Sequence, residues 1–549
     1  MQKITAFISD KKNTKYFIFA ALVILYFWGL GSYNLINHDE GRYAEIPREM
    51  IARADFVTPT LNYLLYFEKP ALHYWQTVVA FKIFGQNEFA ARFFPCLLGL
   101  LGVFFTWLFA KKTYDEETAN LSAVVLGTGV LHYAISHINV TDMTVSFYLT
   151  LSLFAFYFYH KQNNKIWGLV FFGAMALAVL AKGLIGVVLP AGVIFWFMIF
   201  TRKWDIFKKS FWPPGILFFL VIVTPWFYLV CKANPDFFRF FFIQEHFLRY
   251  TTKMHGRYEP FWFFIPVIVG GIFPWTAGLF LSFKNMFAKR EDVIFLSCWF
   301  FVMLLFFSIS DSKLIPYIVP ALPPLAIIIA KNIMDALREN SKAKIAALLI
   351  FQTVVTAALV VGAVLIFGQF ITIGRIDDIL LYRNTIINLV ILSCIFTAAG
   401  WLLLKRRAAF ITAFCIFAIL FLFLAKPGFV TVAKERSSKI AAVALLKYLK
   451  PQDKVAIYNY YFQDMPFYLK RRVIITGWTG ELEYGMQNAP DIKDWFFPHG
   501  SEADLLKIPL EPGQKMYIVS DDDHMKNYLL KDSTKFVEKA GDYNIYVRE

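Results

Sequence analysis

The sequence predicts an all-α polytopic membrane bundle of about 13 transmembrane helices, followed by a small extracytoplasmic α/β domain. Three observations lead there. Of 549 residues, 58% are hydrophobic and 17% are charged, and the mean hydropathy is +0.51. A water-soluble chain this apolar could not cover its own surface, so the bilayer is its natural solvent. Apolar runs of transmembrane length recur along the chain. Basic residues gather in every second connection between those runs.

The first run, at roughly 15–33, follows Lys11, Lys12 and Lys15. Its flank resembles a signal peptide. Its length is that of a span, however, and no small-x-small cleavage site follows, so it reads as an uncleaved helix. Further runs lie at roughly 90–110, 118–136, 141–160, 166–181, 184–201, 211–231, 260–283, 292–309, 314–330, 345–368, 386–404 and 408–426. With the N-terminus in the cytoplasm, the inside loops hold Lys111 and Lys112; Lys161 and Lys165; Arg202, Lys203, Lys208 and Lys209; Lys284, Lys289 and Arg290; Lys331, Arg338, Lys342 and Lys344; and Lys405, Arg406 and Arg407. Every inside loop is then basic, and an odd number of spans puts the tail outside.

The formal net charge of +15 belongs to these membrane-surface loops. No basic helix or aromatic–basic module points to nucleic acid. The 61 phenylalanines suit lipid-facing helices. Cys96, Cys231, Cys298, Cys394 and Cys415 lie in or beside apolar runs and read as small buried hydrophobes.

Residues 1–426 form the predicted membrane domain and residues 427–549 the tail domain. In the tail, 454–460, 472–476, 515–520 and 544–547 read as strands, with helical stretches at 439–449 and 522–530. No glycine-rich phosphate loop occurs there, and the tail is assigned packing or acceptor docking. Two outside loops, 34–89 and 232–259, are long enough to carry function.

Five polar clusters stand out, all on the predicted outer face. The densest runs from Asn37 to Glu45 and contains Asp39, Glu40, Arg42 and Tyr43. Asp39 and Arg42 share a face on a helical turn. Asp39 reads equally as an N-cap and as a site acid. The second holds Tyr66, Glu68 and Lys69, where a lysine beside interfacial aromatics suits a lipid phosphate or simply snorkels. The third is Asp142 at an outer turn, either an N-cap or a site group, with Lys182 at another outer turn. The fourth is the loop 244–259 with His255 and Arg257; its histidines and acids match no zinc spacing, and its arginines suit an anion. The fifth places Lys313 four residues before Tyr317, where they either face one phosphate or anchor a helix end. An outer face has no nucleotide-sugar supply, which favours a lipid-linked donor.

Taken in order, Asp39-Glu40-x-Arg42-Tyr43-Ala44-Glu45, Phe67-Glu68-Lys69-Pro70, Asp142, and Ser312-Lys313-Leu314-x-x-Tyr317 resemble the aminoarabinose transferase family. That family stands with the protein O-mannosyltransferases among polyprenyl-phosphate-dependent glycosyltransferases of GT-C type. His38 stands where the family often has proline. The resemblance implies a bacterial inner-membrane enzyme that moves 4-amino-4-deoxy-L-arabinose from undecaprenyl phosphate to a lipid A phosphate, lowering surface charge and giving polymyxin resistance. Attack at the anomeric carbon expels a phosphate, which calls for cations: Lys69 and Arg257, supported by Arg42, Lys313 and Tyr317. Asp39 is the expected principal carboxylate and Asp142 the second, with Glu40, Tyr43, Tyr66 and Lys182 supporting. The family also suggests a divalent metal between Glu68 and His255; no other cofactor is expected. A lipid-sugar transferase acting on protein or another surface glycan is one alternative. A lipid or solute transporter is another, disfavoured because no internal repeat is visible.

Overall fold

In the computed structural model, residues 13–242, 259–368, 380–521 and 532–549 are described. The chain divides into two units. One comprises Met1–Leu30, Phe94–Pro225 and Phe242–Thr431; the other comprises Gly31–Phe93, Trp226–Phe241 and Val432–Glu549.

The first unit is helical. Among the described residues, eight helices are long and apolar enough to cross a membrane, or up to ten if each of two bent pairs counts as one span. The expected total of about 13 is not reached on that basis. Every predicted run has a helical counterpart, and the shortfall has physical causes. Glu116–Thr128 and Val130–Ser136 meet at 63°, and Phe264–Gly271 and Thr276–Phe287 at 117°. Thr14–Phe27 and Ile185–Thr201 have 14 and 17 residues, short of a full span. Thr141–Gln162 is long enough but buries Thr144, Ser146, Thr150 and Ser152, whose hydroxyls dilute its apolar character. Of the cysteines, Cys96 and Cys298 are buried, whereas Cys394 is exposed, contrary to the reading of all five as buried.

One hairpin positions functional residues. Thr141–Gln162 turns at Asn163, which takes the left-handed conformation at φ 51°, and Asn164 then caps Lys165–Lys182 by accepting from the Ile166 N–H. The helices are antiparallel, so Asp142 in the first turn of one meets Lys182 in the last turn of the other.

The second unit is α/β. The two-residue strands β1 (Thr60–Leu61) and β2 (Leu64–Leu65) form a hairpin after the helix Asp39–Arg53. The six-stranded sheet contains β3 (Lys454–Ile457), β4 (Ile474–Thr476), β5 (Phe496–Phe497), β6 (Met516–Asp521), β7 (Lys535–Ala540) and β8 (Tyr543–Arg548), in the order β5-β4-β3-β6-β8-β7. Its β5-β4-β3-β6 part is parallel, and β8 and β7 add antiparallel. All four predicted strands are present, and β5 and β7 are additional. The predicted stretch at 522–530 lies outside the described residues. Ala456, Ile474, Met516, Ile518 and Leu505 form the sheet's core.

The Asp39–Arg53 helix lies against the segment 463–464 of the same unit. A Cβ at Gly41 would sit 2.4 Å from the Asp464 nitrogen, so only glycine permits this approach. Asp464 is a buried hub. Its carboxylate accepts from Asn37 Nδ2 (2.6 Å), Ser437 Oγ (2.7 Å), and the Ser438 N–H (2.8 Å) and Oγ (2.5 Å).

Candidate active site

The second unit builds its polar centre around Arg42. Asp39 and Glu40 open the helix, where carboxylates suit the dipole. The N-cap is His38 and no side chain caps it, so the capping alternative for Asp39 is not realised. Arg42, one turn on, donates to the Asp39 carboxylate, to Glu481 and to the Tyr66 hydroxyl, the last at 3.0 Å. Its guanidinium also lies over the Tyr43 ring at 5.2 Å. The Asp39 side chain remains 60% exposed whereas that of Arg42 is 8% exposed. The arrangement therefore offers one reachable carboxylate held by a buried cation.

Glu481 closes the far side. Its second oxygen accepts from Gln463 Nε2. Burial pushes the Glu481 carboxyl above the usual range, Arg42 pulls it back, and Glu68 and Asp39 add to the rise. Burial likewise pushes the Tyr66 hydroxyl well up, so it meets Arg42 as a neutral group. Sequence reasoning missed Glu481 and Gln463. Each lies more than 400 residues from Arg42, and no local pattern marks them.

Glu68 and Lys69 sit in the same unit, half-enclosed. Lys69 Nζ donates to the Glu68 carbonyl at 2.9 Å and lies 3.8 Å from its carboxylate. Tyr43 packs edge-on to His73 at 5.4 Å and stacks with Tyr74 at 6.1 Å. The Tyr74 hydroxyl is buried with no partner among the described residues.

Glu40 has a structural task. It forms a fully buried pair with Arg92, Nε to Oε1 and Nη2 to Oε2, both at 2.7 Å. It also accepts the Ile36 N–H at 3.0 Å, and Arg92 donates to the Tyr33 and Asn34 carbonyls. Together these bonds secure the backbone that leads into Asp39.

In the first unit, Asp142 and Lys182 form a half-buried ion pair at 2.5 Å. The helix begins at Thr141 with Val140 as its cap, so Asp142 is not an N-cap. The Lys182 ammonium lies over the Tyr317 ring at 4.6 Å. Lys313 is buried and donates to the Glu259 carbonyl at 2.9 Å. The segment Ile315–Ala321 is a 3-10 helix, where neighbours are three apart, and Lys313 precedes it.

Arg257 and His255 lie outside the described residues. Among the described residues, no group of three or more His, Cys, Asp or Glu gathers as metal ligands would.

Comparisons with known proteins agree on a family. Residues 68–229 match the model of dolichyl-phosphate-mannose-protein mannosyltransferases, and residues 441–497 match the aminoarabinose transferase C-terminal domain. An undecaprenyl phosphate-alpha-4-amino-4-deoxy-L-arabinose arabinosyl transferase of Proteus mirabilis is 28% identical, aligned over 98% of this chain and 99% of its own length. The corresponding transferase of Aeromonas hydrophila is 31% identical over 60% of this chain and 61% of its own. The crystal structure of ArnT from Cupriavidus metallidurans bound to undecaprenyl phosphate superposes with a TM-score of 0.87 at 28% identity, covering 97% of each chain. Along nearly its whole length the chain is similar to aminoarabinose transferases, and over residues 68–229 to the protein mannosyltransferases.

Proposed function

We propose that this enzyme transfers 4-amino-4-deoxy-L-arabinose from undecaprenyl phosphate to a lipid A phosphate, on the extracytoplasmic face of the bacterial inner membrane. The observation that carries the reading is the exposed Asp39 carboxylate fixed by buried Arg42, in a chain whose full-length relative bears the sugar and its lipid carrier in its name. The acceptor oxygen attacks the anomeric carbon and forms the new C1–O bond. The bond from C1 to the donor phosphate oxygen breaks, and undecaprenyl phosphate leaves with the electron pair. An ionised lipid A phosphate brings its own negative charge, so no proton must be removed. Asp39 then orients the acceptor or meets the ammonium of the sugar. A hydroxyl acceptor would instead give its proton to Asp39.

Negative charge grows on the departing phosphate, and preformed cations lower the barrier most. Lys69 and Arg257 are proposed for that role, with Arg42, Lys313 and Tyr317 in support. Asp142 is proposed as a second carboxylate, paired with Lys182. Tyr43 and Tyr66 shape the surroundings of Arg42.

The test is complementation of a deletion in a polymyxin-resistant background with wild type or Asp39→Asn, followed by mass spectra of lipid A. Loss of an aminopentose substituent, restored by wild type alone, is expected. Unchanged lipid A on deletion would overturn the acceptor and sugar. Altered glycoproteins in that case would favour a protein acceptor, in line with the mannosyltransferase match at 68–229.

A further inference from the structure

A second site lies in the helical unit, at the other end of the spans. A cavity of about 950 Å³ opens between Ile185–Thr201 and Glu291–Ile309. The first of these helices begins just after Lys182 and ends at Arg202. At 1.5 Å per residue it separates the cavity's charged end from the Lys182–Asp142 pair by about 25 Å. The charge pattern assigns that end to the cytoplasm.

The cavity is apolar within and basic at its rim. Gly192 allows close approach of the two helices: a Cβ there would lie 3.2 Å from Val302 Cγ1. One turn on, Trp196 and Phe200 stack at 5.8 Å and line one wall, with Phe301 and Leu305 opposite. Arg202, Lys203 and Lys289 stand at the rim. The acid there is Glu291, and it is already engaged by His160 at 2.9 Å, Lys161 at 2.9 Å and Lys203 at 2.8 Å. Among the described residues, Arg202 and Lys289 have no acidic partner.

We propose that this cavity binds an acidic glycerophospholipid of the inner leaflet. Its phosphodiester sits against Arg202 and Lys289, and an acyl chain lies along the aromatic wall. A single negative phosphodiester matches two free cations beside one neutralised acid. A zwitterionic headgroup would set its own ammonium against those cations. Exposed aromatics alone would only meet bulk lipid. A concave apolar wall ending in unpaired cations selects one class of it.

Native mass spectrometry of the purified full chain tests this, with phosphatidylglycerol, phosphatidylethanolamine or undecaprenyl phosphate added at equal concentration. Retention of phosphatidylglycerol at least tenfold above phosphatidylethanolamine is expected. R202A/K289A, both exposed, should abolish that preference, and A288W should lower phosphatidylglycerol retention by filling the mouth. Equal retention of the two phospholipids, or an unchanged preference in R202A/K289A, overturns the proposal. Displacement of phosphatidylglycerol by equimolar undecaprenyl phosphate overturns it in favour of a polyprenyl phosphate site.

Discussion

Glu481→Gln probes the Arg42 centre through the one partner that lies far away in sequence. In the wild type, the Arg42 guanidinium is divided between Asp39, Glu481 and the Tyr66 hydroxyl. The Glu481 side chain is 18% exposed, so its pairing is little screened by water. The substitution keeps the shape and the Gln463 contact side but removes the charge. A hydrogen bond between charged groups contributes about 1.5–3 kcal/mol, and little of that is recovered by a neutral amide. Arg42 then moves toward Asp39, whose carboxylate becomes tied up and loses its reach. If the lost term falls wholly on the transition state, transfer slows roughly 10- to 100-fold. The assay is turnover of purified enzyme with a lipid-linked aminoarabinose donor, read as kcat and donor KM separately. A fall in kcat with KM within about threefold is expected, because Glu481 acts through Arg42 rather than on the donor phosphate. A single cooperative melting transition well above the assay temperature is the control. Glu481→Gln activity within twofold of wild type would refute the view that Glu481 positions Arg42.

Other perturbations follow from the same geometry. Gly41→Ala must push the 463–464 backbone away, since its Cβ would meet Asp464 N at 2.4 Å; a loss of about 1–3 kcal/mol, read by thermal denaturation, should accompany reduced turnover. Glu40→Gln strips the charge partner from fully buried Arg92 and should cost about 3–5 kcal/mol; retention of normal yield and melting would show that the pair is dispensable. Burial pushes Glu49 well above the usual carboxylate range, and the neighbouring Glu45 adds to it. The folded state therefore holds a proton that the unfolded chain releases. Stability from this group is full below the ordinary Glu value of about 4.3 and declines as pH rises toward the folded value. Glu49→Gln should flatten the fall in melting temperature as pH rises above the ordinary Glu value, and an unchanged slope would place the proton elsewhere.

What could be read from the sequence divides along physical lines. The helical runs and the four principal strands were legible because burial in lipid or in a sheet core imposes local composition. Where helices carry buried hydroxyls, as in Thr141–Gln162, that composition is diluted and the span count drops. Strand β7, with Lys535, Glu538 and Lys539, sits at the sheet edge and so shows no apolar alternation. The local pair Asp39–Arg42 was legible because helical spacing sets it three residues apart. Tyr317 falls in a 3-10 segment, a local geometry that the residue spacing does not reveal. Arg42–Glu481, Asn37–Asp464 and Glu40–Arg92 span 439, 427 and 52 residues. No periodicity encodes such contacts. They exist because the loop after the first helix and the segment after Val432 fold into one unit. A tail that sequence alone assigns to packing or acceptor docking thus supplies the second carboxylate on Arg42. The same tail segment matches the aminoarabinose transferase C-terminal model, whereas the mannosyltransferase model stops far short of it. One of the two carboxylates on Arg42 therefore comes from the segment that matches the aminoarabinose transferase C-terminal model.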